Sequence, residues 1–372
     1  MLCMILVSCT GQKTGKENDN NDKIAIEVGE IKFPPQDVLQ LKSYYLSSSV
    51  HVDSIDYLIG YNYRLHSLDC MNLKSKSVTQ IVLPGDGPDA IVRLSGIYAQ
   101  SLDSVWISDE SERAFLIDSV GMIKRMIDLK KYLEDQEQLL INTNYAMFTS
   151  HLFYNASRHS LMFLVKHTPS NTFIVKEAFI DEVGKMATYQ LSSSKVVPDM
   201  SKGYAYINFP NVNFVGENIV YNYPVESSIY MLDIRTNERK YILADSHYTS
   251  NIIEKCTTSG DYATLEKHWL ENSHFYDIMY LPKYKIYARL HADKVDFDEK
   301  KGMEKLINER DLYLMLFDEN MEKIGETKLS NCRYSPFTSW NATYGGIALF
   351  VDNVLDEKNN TDDLTIDIIS LK

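Results

Sequence analysis

Apolar and polar positions along this chain recur in one pattern. An apolar run ends in Asp, a short polar turn follows, and a second strand-like run begins. The pattern appears at Leu65–Asp69, Phe115–Asp118, Ala178–Asp181, Tyr230–Asp233 and Met315–Asp318. A sixth copy, Asp367–Ser370, has Ser where the others have Asp. Successive copies lie 49, 63, 52, 85 and 52 residues apart. Three of these spacings are close to the period of a four-stranded propeller blade, roughly 40–50 residues. Short strand-like runs fill the intervals, among them Tyr57–Tyr61, Gly96–Ala99, Leu161–Val165, Asn218–Tyr221, Tyr276–Tyr280 and Ile347–Val351. Many short strands at even spacing predict an all-β fold, and the repeat favours a propeller over a sandwich. The expected architecture is a six-bladed β-propeller with four-stranded blades.

The recurrent Asp has a physical role in this reading. Its carboxylate accepts bonds from backbone N–H groups of the turn, and Gly or Asn takes the positive-φ position. Asp118-Ser119-Val120-Gly121 and Asp181-Glu182-Val183-Gly184 fit this best, with Asp233–Asn237 and Asp318–Asn320 as looser versions. These Asp residues are therefore read as turn residues and not as catalytic acids. The two long spacings require insertions. Leu129–Leu140 is apolar at helical intervals and predicts a helix, as does Tyr262–Leu270. The charge-dense Asp293–Glu309 predicts a long hairpin excursion in the fifth blade. Asp293, Asp296, Asp298 and Glu299 lack the glycine and distal bidentate Glu of a calcium loop, so a solvated face is expected there.

The ends of the pattern imply how the ring closes. The last blade has no fourth strand after Ser370, and an open outer edge would expose unpaired backbone groups. Ile24-Ala25-Ile26-Glu27-Val28 alternates apolar and polar residues and has no blade of its own. It is expected to pair with Leu364–Leu371 as the outermost strand of the sixth blade.

Ahead of that segment the chain changes character. Leu6-Val7-Ser8-Cys9 is an apolar run ending in a small residue and a cysteine, after which the chain turns polar. Met1–Val7 is too short to span a bilayer, which takes about 20 residues, and reads as the tail of an export signal. No Lys or Arg precedes Lys13, so an upstream Met is expected to supply the charged region. Cys9 is the expected lipidation site. Thr10–Asp22 contains no apolar residue and cannot bury surface to offset its ordering entropy. The domain reading is thus residues 1–8 signal remnant, 9–22 lipidated tether and 23–372 propeller.

Composition narrows the partners. The net charge of −13 argues against nucleic acid and anionic lipid as main partners. The 25 Tyr suit pleated, half-buried surfaces. With Cys3 in the signal and Cys9 lipidated, Cys70, Cys256 and Cys332 remain. No C-x-x-C occurs, so a zinc site or redox dithiol is not expected, and three buried thiols are favoured over one disulfide.

The lipobox, the turn-Asp repeat and Leu83-Pro84-Gly85-Asp86-Gly87-Pro88-Asp89-Ala90-Ile91 together resemble a family of uncharacterised Bacteroidetes lipoproteins with six-bladed propellers, the domain-of-unknown-function type numbered 4221. In that family a Glu-Gly-Pro-Asn-Gly type segment sits between the first two blades. Here it reads Asp86-Gly87-Pro88-Asp89-Ala90, with Asn and the last Gly replaced. Tyr284–Arg289 resembles the family's aromatic-Arg strand. The resemblance implies a fold and a cell-envelope, outer-membrane location, with the periplasmic or surface face left open. It implies no activity.

Linear signatures of chemistry are absent: no G-x-S-x-G, H-E-x-x-H, P-loop or dinucleotide glycine pattern occurs. His268 and Glu271 share a helix face, but two ligands do not define a metal site, and no cofactor is expected. Strand counting places His151, Asn213, His274 and Trp340 near the entries of the innermost strands, where propellers gather ligand sites. Aromatic faces there could stack on sugars, and Asn and His could bond hydroxyls; packing between blades is the competing role. Two functions follow. One is an outer-membrane-anchored binding or scaffolding propeller for glycan or peptide. The alternative is a polysaccharide hydrolase or lyase with its site at the channel mouth. A cluster of carboxylates or His at that mouth would favour the enzyme, and an aromatic, uncharged mouth would favour binding.

Overall fold

The structure, a computed structural model, describes residues 25–35, 41–140, 149, 151–197, 204–256, 261–336, 340–358 and 362–372. The chain enters on β1 (Ile26–Phe33). Blade 1 follows as β2 (Ser47–Val52), β3 (Ile55–Asn62), β4 (Ser67–Asn72) and β5 (Val78–Val82). Blade 2 is β6 (Leu94–Ser101), β7 (Ser104–Asp109), β8 (Arg113–Ile117) and β9 (Ile123–Asp128). Blade 3 comprises β10 (Glu137–Leu139), β11 (Phe153–Asn155), β12 (Ser160–His167), β13 (Thr172–Phe179) and β14 (Met186–Gln190). Blade 4 is β15 (Asn211–Val215), β16 (Asn218–Asn222), β17 (Ile229–Asp233) and β18 (Arg239–Ile242). After helix α1 (Tyr262–Leu270), blade 5 runs β19 (His274–Leu281), β20 (Ile286–Ala292), helix α2 (Met303–Asn308), β21 (Leu312–Phe317) and β22 (Lys323–Lys328). Blade 6 is β23 (Trp340–Ala342), β24 (Ile347–Phe350) and β25 (Leu364–Leu371), with β1 on its outer edge. Pairing within the blades is antiparallel throughout, which gives the six-bladed propeller expected from the repeat.

Apolar side chains are buried chiefly between blades. One cluster joins each adjacent pair: Ile59 and Ile97 between blades 1 and 2, Trp106 and Phe163 between 2 and 3, Val175 and Tyr221 between 3 and 4. Val220 and Met315 lie between blades 4 and 5, Leu314 and Leu349 between 5 and 6, and Leu58 and Phe350 between 6 and 1. The circle of clusters returns to its start, so each blade buries its faces against its neighbours.

Closure follows the expected pairing and extends it. β1 runs antiparallel to β25, from Ile26 opposite Leu371 to Phe33 opposite Leu364. Ile24, placed in this strand from the sequence, lies outside the described residues. Glu30 stands opposite Asp367, and like charges facing across a ladder repel. Arg333 resolves the conflict by donating to Glu30 at 2.9 Å and to both oxygens of the fully buried Asp367. Tyr334 OH is a further donor to Asp367, at 2.8 Å.

The turn chemistry holds in three blades. Asp118 accepts from the N–H groups of Val120 and Met122, Asp233 from Arg235 and Thr236, and Asp318 from Asn320 and Glu322. Gly121 supplies a φ of +83°, and a Cβ there would come within 2.3 Å of the Val82 carbonyl oxygen. Asp181 is in its turn but reaches Arg125 of blade 2 at 3.1 Å. Asp69 departs from the turn reading. It lies inside β4, fully buried, and accepts from Tyr44 OH, Asn62 Nδ2 and Gln80 Nε2 at 2.7, 2.9 and 3.0 Å. The turn of blade 1 is capped instead by Asn72, whose Oδ1 accepts from Lys74 and Ser75. The Tyr44 ring passes over Gly60, where a Cβ would meet it at 2.4 Å. Ser370 is likewise inside a strand and not in a turn.

Leu129–Leu140 does not form the expected helix. Leu129–Tyr132 is a single 3-10 turn, N-capped by the Asp128 carboxylate on Lys130 N–H. The chain then turns extended, and Glu137–Leu139 pairs with the inner edge of β12. One turn plus a strand satisfies the apolar spacing, because that edge needs a ladder partner for its backbone groups. β11 pairs further along the same edge, so the innermost strand of blade 3 comes in two pieces. Tyr262–Leu270 is helical as expected. The 293–309 excursion lies between β20 and β21 and carries α2. Of the three thiols expected to be buried, Cys70 is, while Cys256 and Cys332 are half-buried; none of the three forms a disulfide among the described residues.

The closure strand is testable. Deleting residues 26–33 should destabilise the whole propeller in one cooperative transition. Phe33→Ala alone should cost about 3–5 kcal/mol in a urea titration, the usual loss for a buried Phe. A deletion variant that melts like the parent protein would show that the ring closes without this strand.

Candidate functional site

The first strands of the blades, β2, β6, β10 with β11, β15, β19 and β23, surround a central channel. Backbone and side-chain bonds tie these strands together. Val212 N donates to Thr149 O at 2.8 Å, and His151 N donates to Val212 O at 3.2 Å. Asn211 Nδ2 donates to Phe275 O, and Asn341 Nδ2 to Ser47 Oγ. The channel holds a cavity of about 380 Å³.

His151, Asn213 and Trp340, distant in sequence, all line this cavity. Two of them converge on Asp277, which the sequence reading does not single out. Its carboxylate, 1% exposed, accepts from Trp340 Nε1 at 3.0 Å on one oxygen and lies 2.9 Å from His151 Nε2 on the other. A carboxylate only accepts, so the imidazole donates from Nε2. The signal for Asp277 is that it is the single charge in the otherwise apolar run Phe275–Leu281. Asn213 spends its side chain on structure: Nδ2 donates to Ile278 O of blade 5, and Oδ1 accepts from Phe214 N. Trp340 is nearly buried, its ring edge-on to Tyr276 at 4.7 Å.

The remaining wall is aromatic and neutral. Phe153 stacks on Phe214 at 5.0 Å, and Tyr98 meets Phe153 edge-on at 5.1 Å. Tyr280, Asn341 and Ser47–Ser49 contribute as well. Burial raises the Tyr98 phenol above its ordinary range, with the Tyr154 charge adding to it, so the hydroxyl stays neutral. Among the described lining residues Asp277 is the one carboxylate. The cavity runs from Ser47 and Trp340, at the entries of β2 and β23, to Gly216 and Pro282, which follow β15 and β19 directly. On blades 4 and 5 it therefore reaches the hairpin ends of the inner strands, beyond the strand entries where the sequence reading places the mouth.

His274 does not join this site. It is fully buried off the channel, with Nδ1 accepting from Trp269 Nε1 at 3.2 Å and its ring 4.6 Å from Tyr276. Burial, and then the nearby Arg310 charge, hold its imidazole well below the usual His range, so it stays neutral. His268 contacts the Glu254 carbonyl, Glu271 faces Lys267, and both line a hollow beside α1, away from the channel. Among the described residues no three His, Cys, Asp or Glu side chains gather as a metal site requires. A hollow of about 850 Å³ beside α1 is lined by charges of both signs, including Lys255, Lys294, Glu254 and Asp296, and lacks the aromatic wall of the channel.

Fold and channel together define a class: a six-bladed propeller with an aromatic-walled axial cavity and a buried Asp paired with a half-buried His. The chain belongs to the DUF4221 family, a domain of unknown function whose model matches residues 17–328. A DUF4221 member from Bacteroides vulgatus ATCC 8482 shares 14% identity and superposes with a TM-score of 0.74, covering 95% of this chain and 99% of its own. A protein of Bacteroides fragilis NCTC 9343, described by name as exported, shares 14% identity with a TM-score of 0.55 and coverage of 95% and 97%. No curated protein matches the chain.

The neutral, buried His274 makes a pH prediction. Its folded-state pKa is depressed, so the unfolded chain takes up the proton first as pH falls. The stability it contributes is present above about pH 6.5 and is lost on acidification below it. His274→Gln, which keeps an acceptor for Trp269, should flatten the fall in melting temperature below that pH. An unchanged slope would show that His274 does not carry this dependence.

Proposed function

We propose that this protein is an exported, lipid-anchored propeller of the outer membrane that binds saccharide in its central channel. The lining carries the reading: Tyr98, Phe153, Phe214 and Tyr280 offer aromatic surface, and the Tyr98 and Tyr280 hydroxyls offer neutral hydrogen-bonding groups. Aromatic surface with a few neutral donors and acceptors suits a polyhydroxylated, uncharged ligand. A peptide would need partners for its backbone, and the polar groups of Asn213 and Trp340 are already used between blades.

Binding fits the channel better than glycoside hydrolysis. Hydrolysis of that kind commonly uses two carboxylates roughly 5–10 Å apart. Asp277 stands alone as a carboxylate among the described lining residues, and both its oxygens are engaged. Leu6-Val7-Ser8-Cys9 supports export and anchoring, and the name of the Bacteroides fragilis relative supports export.

Two experiments test these parts separately. On a glycan array the parent protein should retain a saccharide. Tyr280→Ala and Tyr98→Phe should each weaken that binding about tenfold, a loss of about 1.4 kcal/mol, with melting temperatures near the parent value. Retention of peptides and no glycan would replace the ligand class. For the anchor, mass spectrometry of protein from a native-like host should find a diacylated Cys9 at the mature N-terminus, and Cys9→Ala should release the protein or leave a precursor. An unmodified Cys9 in the mature chain would refute lipidation.

A further inference from the structure

The register of β1 decides at which end of the propeller the described chain enters. In each blade the first and third strands run the same way, so both finish at one end of the molecule, beside the hairpins that follow them. β25 is the third strand of blade 6, and Ile26 pairs with Leu371 at its finish. The described chain therefore enters at this hairpin end, and Ala25 O accepts from Lys372 N there. Gly346, in the first hairpin of blade 6, lies against the Ile369 carbonyl and marks the same end. The channel cavity reaches this end too, at Gly216 and Pro282. The entry point thus lies at an end that the cavity reaches.

We propose that this hairpin end, with the channel cavity behind it, faces the bilayer that holds Cys9. The inference rests on the lipid anchor proposed above. Ala25 follows Cys9 by 16 positions. A chain of that length cannot exceed about 58 Å, so the hairpin end is tethered within that distance of the lipid. The eight residues of β1 then carry the chain away from the membrane, roughly 26 Å to the opposite end. Apolar side chains stand at turn tips on the hairpin end: Val183 is 96% exposed, Val120 76% and Met122 58%. They can enter the headgroup region without giving up internal packing. The opposite end exposes Tyr63, Leu243 and Val354, so apolar exposure does not choose between the ends, and the orientation is argued from the chain's entry. The net charge of −13 supplies no attraction to an anionic surface, and the partner is an uncharged bilayer interface. The channel then takes a ligand that stands on that membrane or diffuses along it.

The test uses the lipidated full chain on phosphatidylcholine vesicles whose headgroups carry a fluorescence quencher. With Cys256 and Cys332 changed to Ser, a fluorophore is attached at Val183→Cys in one variant and at Val354→Cys in another. Vesicle flotation reads the anchor. Quenching should be several-fold stronger at position 183 than at 354. Equal quenching, or stronger quenching at 354, in protein that floats would overturn the orientation and leave the anchor reading intact. Protein that fails to float would remove the anchor, and the orientation with it.

Discussion

A propeller buries its sheets against one another, so everything here depends on closing the circle. The last blade takes three strands from the final stretch of the chain and its fourth from the beginning, through the ladder between β1 and β25. Backbone bonds alone do not make this join specific. Glu30 and Asp367 would oppose it, and Arg333, reaching in from the segment before blade 6, turns two repelling carboxylates into a bridged set. Phe33, fully buried in the cluster with Leu58 and Phe350, extends the join into the core between blades 6 and 1. One strand therefore completes a sheet and closes an apolar interface.

The same economy appears between other blades. Arg289, fully buried in blade 5, donates to the carbonyls of Ser227 and Ala244 in and after blade 4, and lies over the Phe275 ring. Burial lowers its pKa to about 9, yet the guanidinium remains charged at neutral pH because Glu326, Asp245 and Glu226 oppose the shift. This accounts for the aromatic-Arg strand as a device of architecture. Asn211, Asn213 and Asn222 likewise donate across to blade 5 carbonyls. A buried amide left without such a partner would cost about 1–3 kcal/mol, so these contacts hold neighbouring blades in one relative position.

That rigidity shapes the channel. Groups that look available in the sequence, such as Asn213 and Trp340, are committed to holding blades together. What faces the cavity is mostly ring surface and a few neutral groups, with Asp277 and His151 each serving as the other's partner. The wall is thus held in place by contacts between blades. Preformed aromatic walls with few polar contacts are suited to recognition.

Strand alternation and turn chemistry are local, and they are legible in the sequence. The spacing of the Asp turns reveals the blades, the caps at Asp118, Asp233 and Asp318 form as their neighbours dictate, and the alternation at residues 24–28 identifies the closing strand. Asp69 and the 129–140 segment depart from their local patterns for one reason: each pattern has two solutions, and a distant partner chooses between them. Tyr44 draws Asp69 into the interior, and the unpaired edge of β12 draws residues 137–139 out of a helix. The site is less legible still. His151, Asp277 and Trp340 come from three blades and meet only when the ring closes, while His274, of similar appearance in sequence, ends buried off the channel. The sequence by itself determined the blade repeat, most of its strands and the turns at Asp118, Asp233 and Asp318, because these rest on neighbours a few residues apart. Only the tertiary structure decided which polar groups face the channel and which bind blade to blade, because that depends on contacts between residues far apart along the chain.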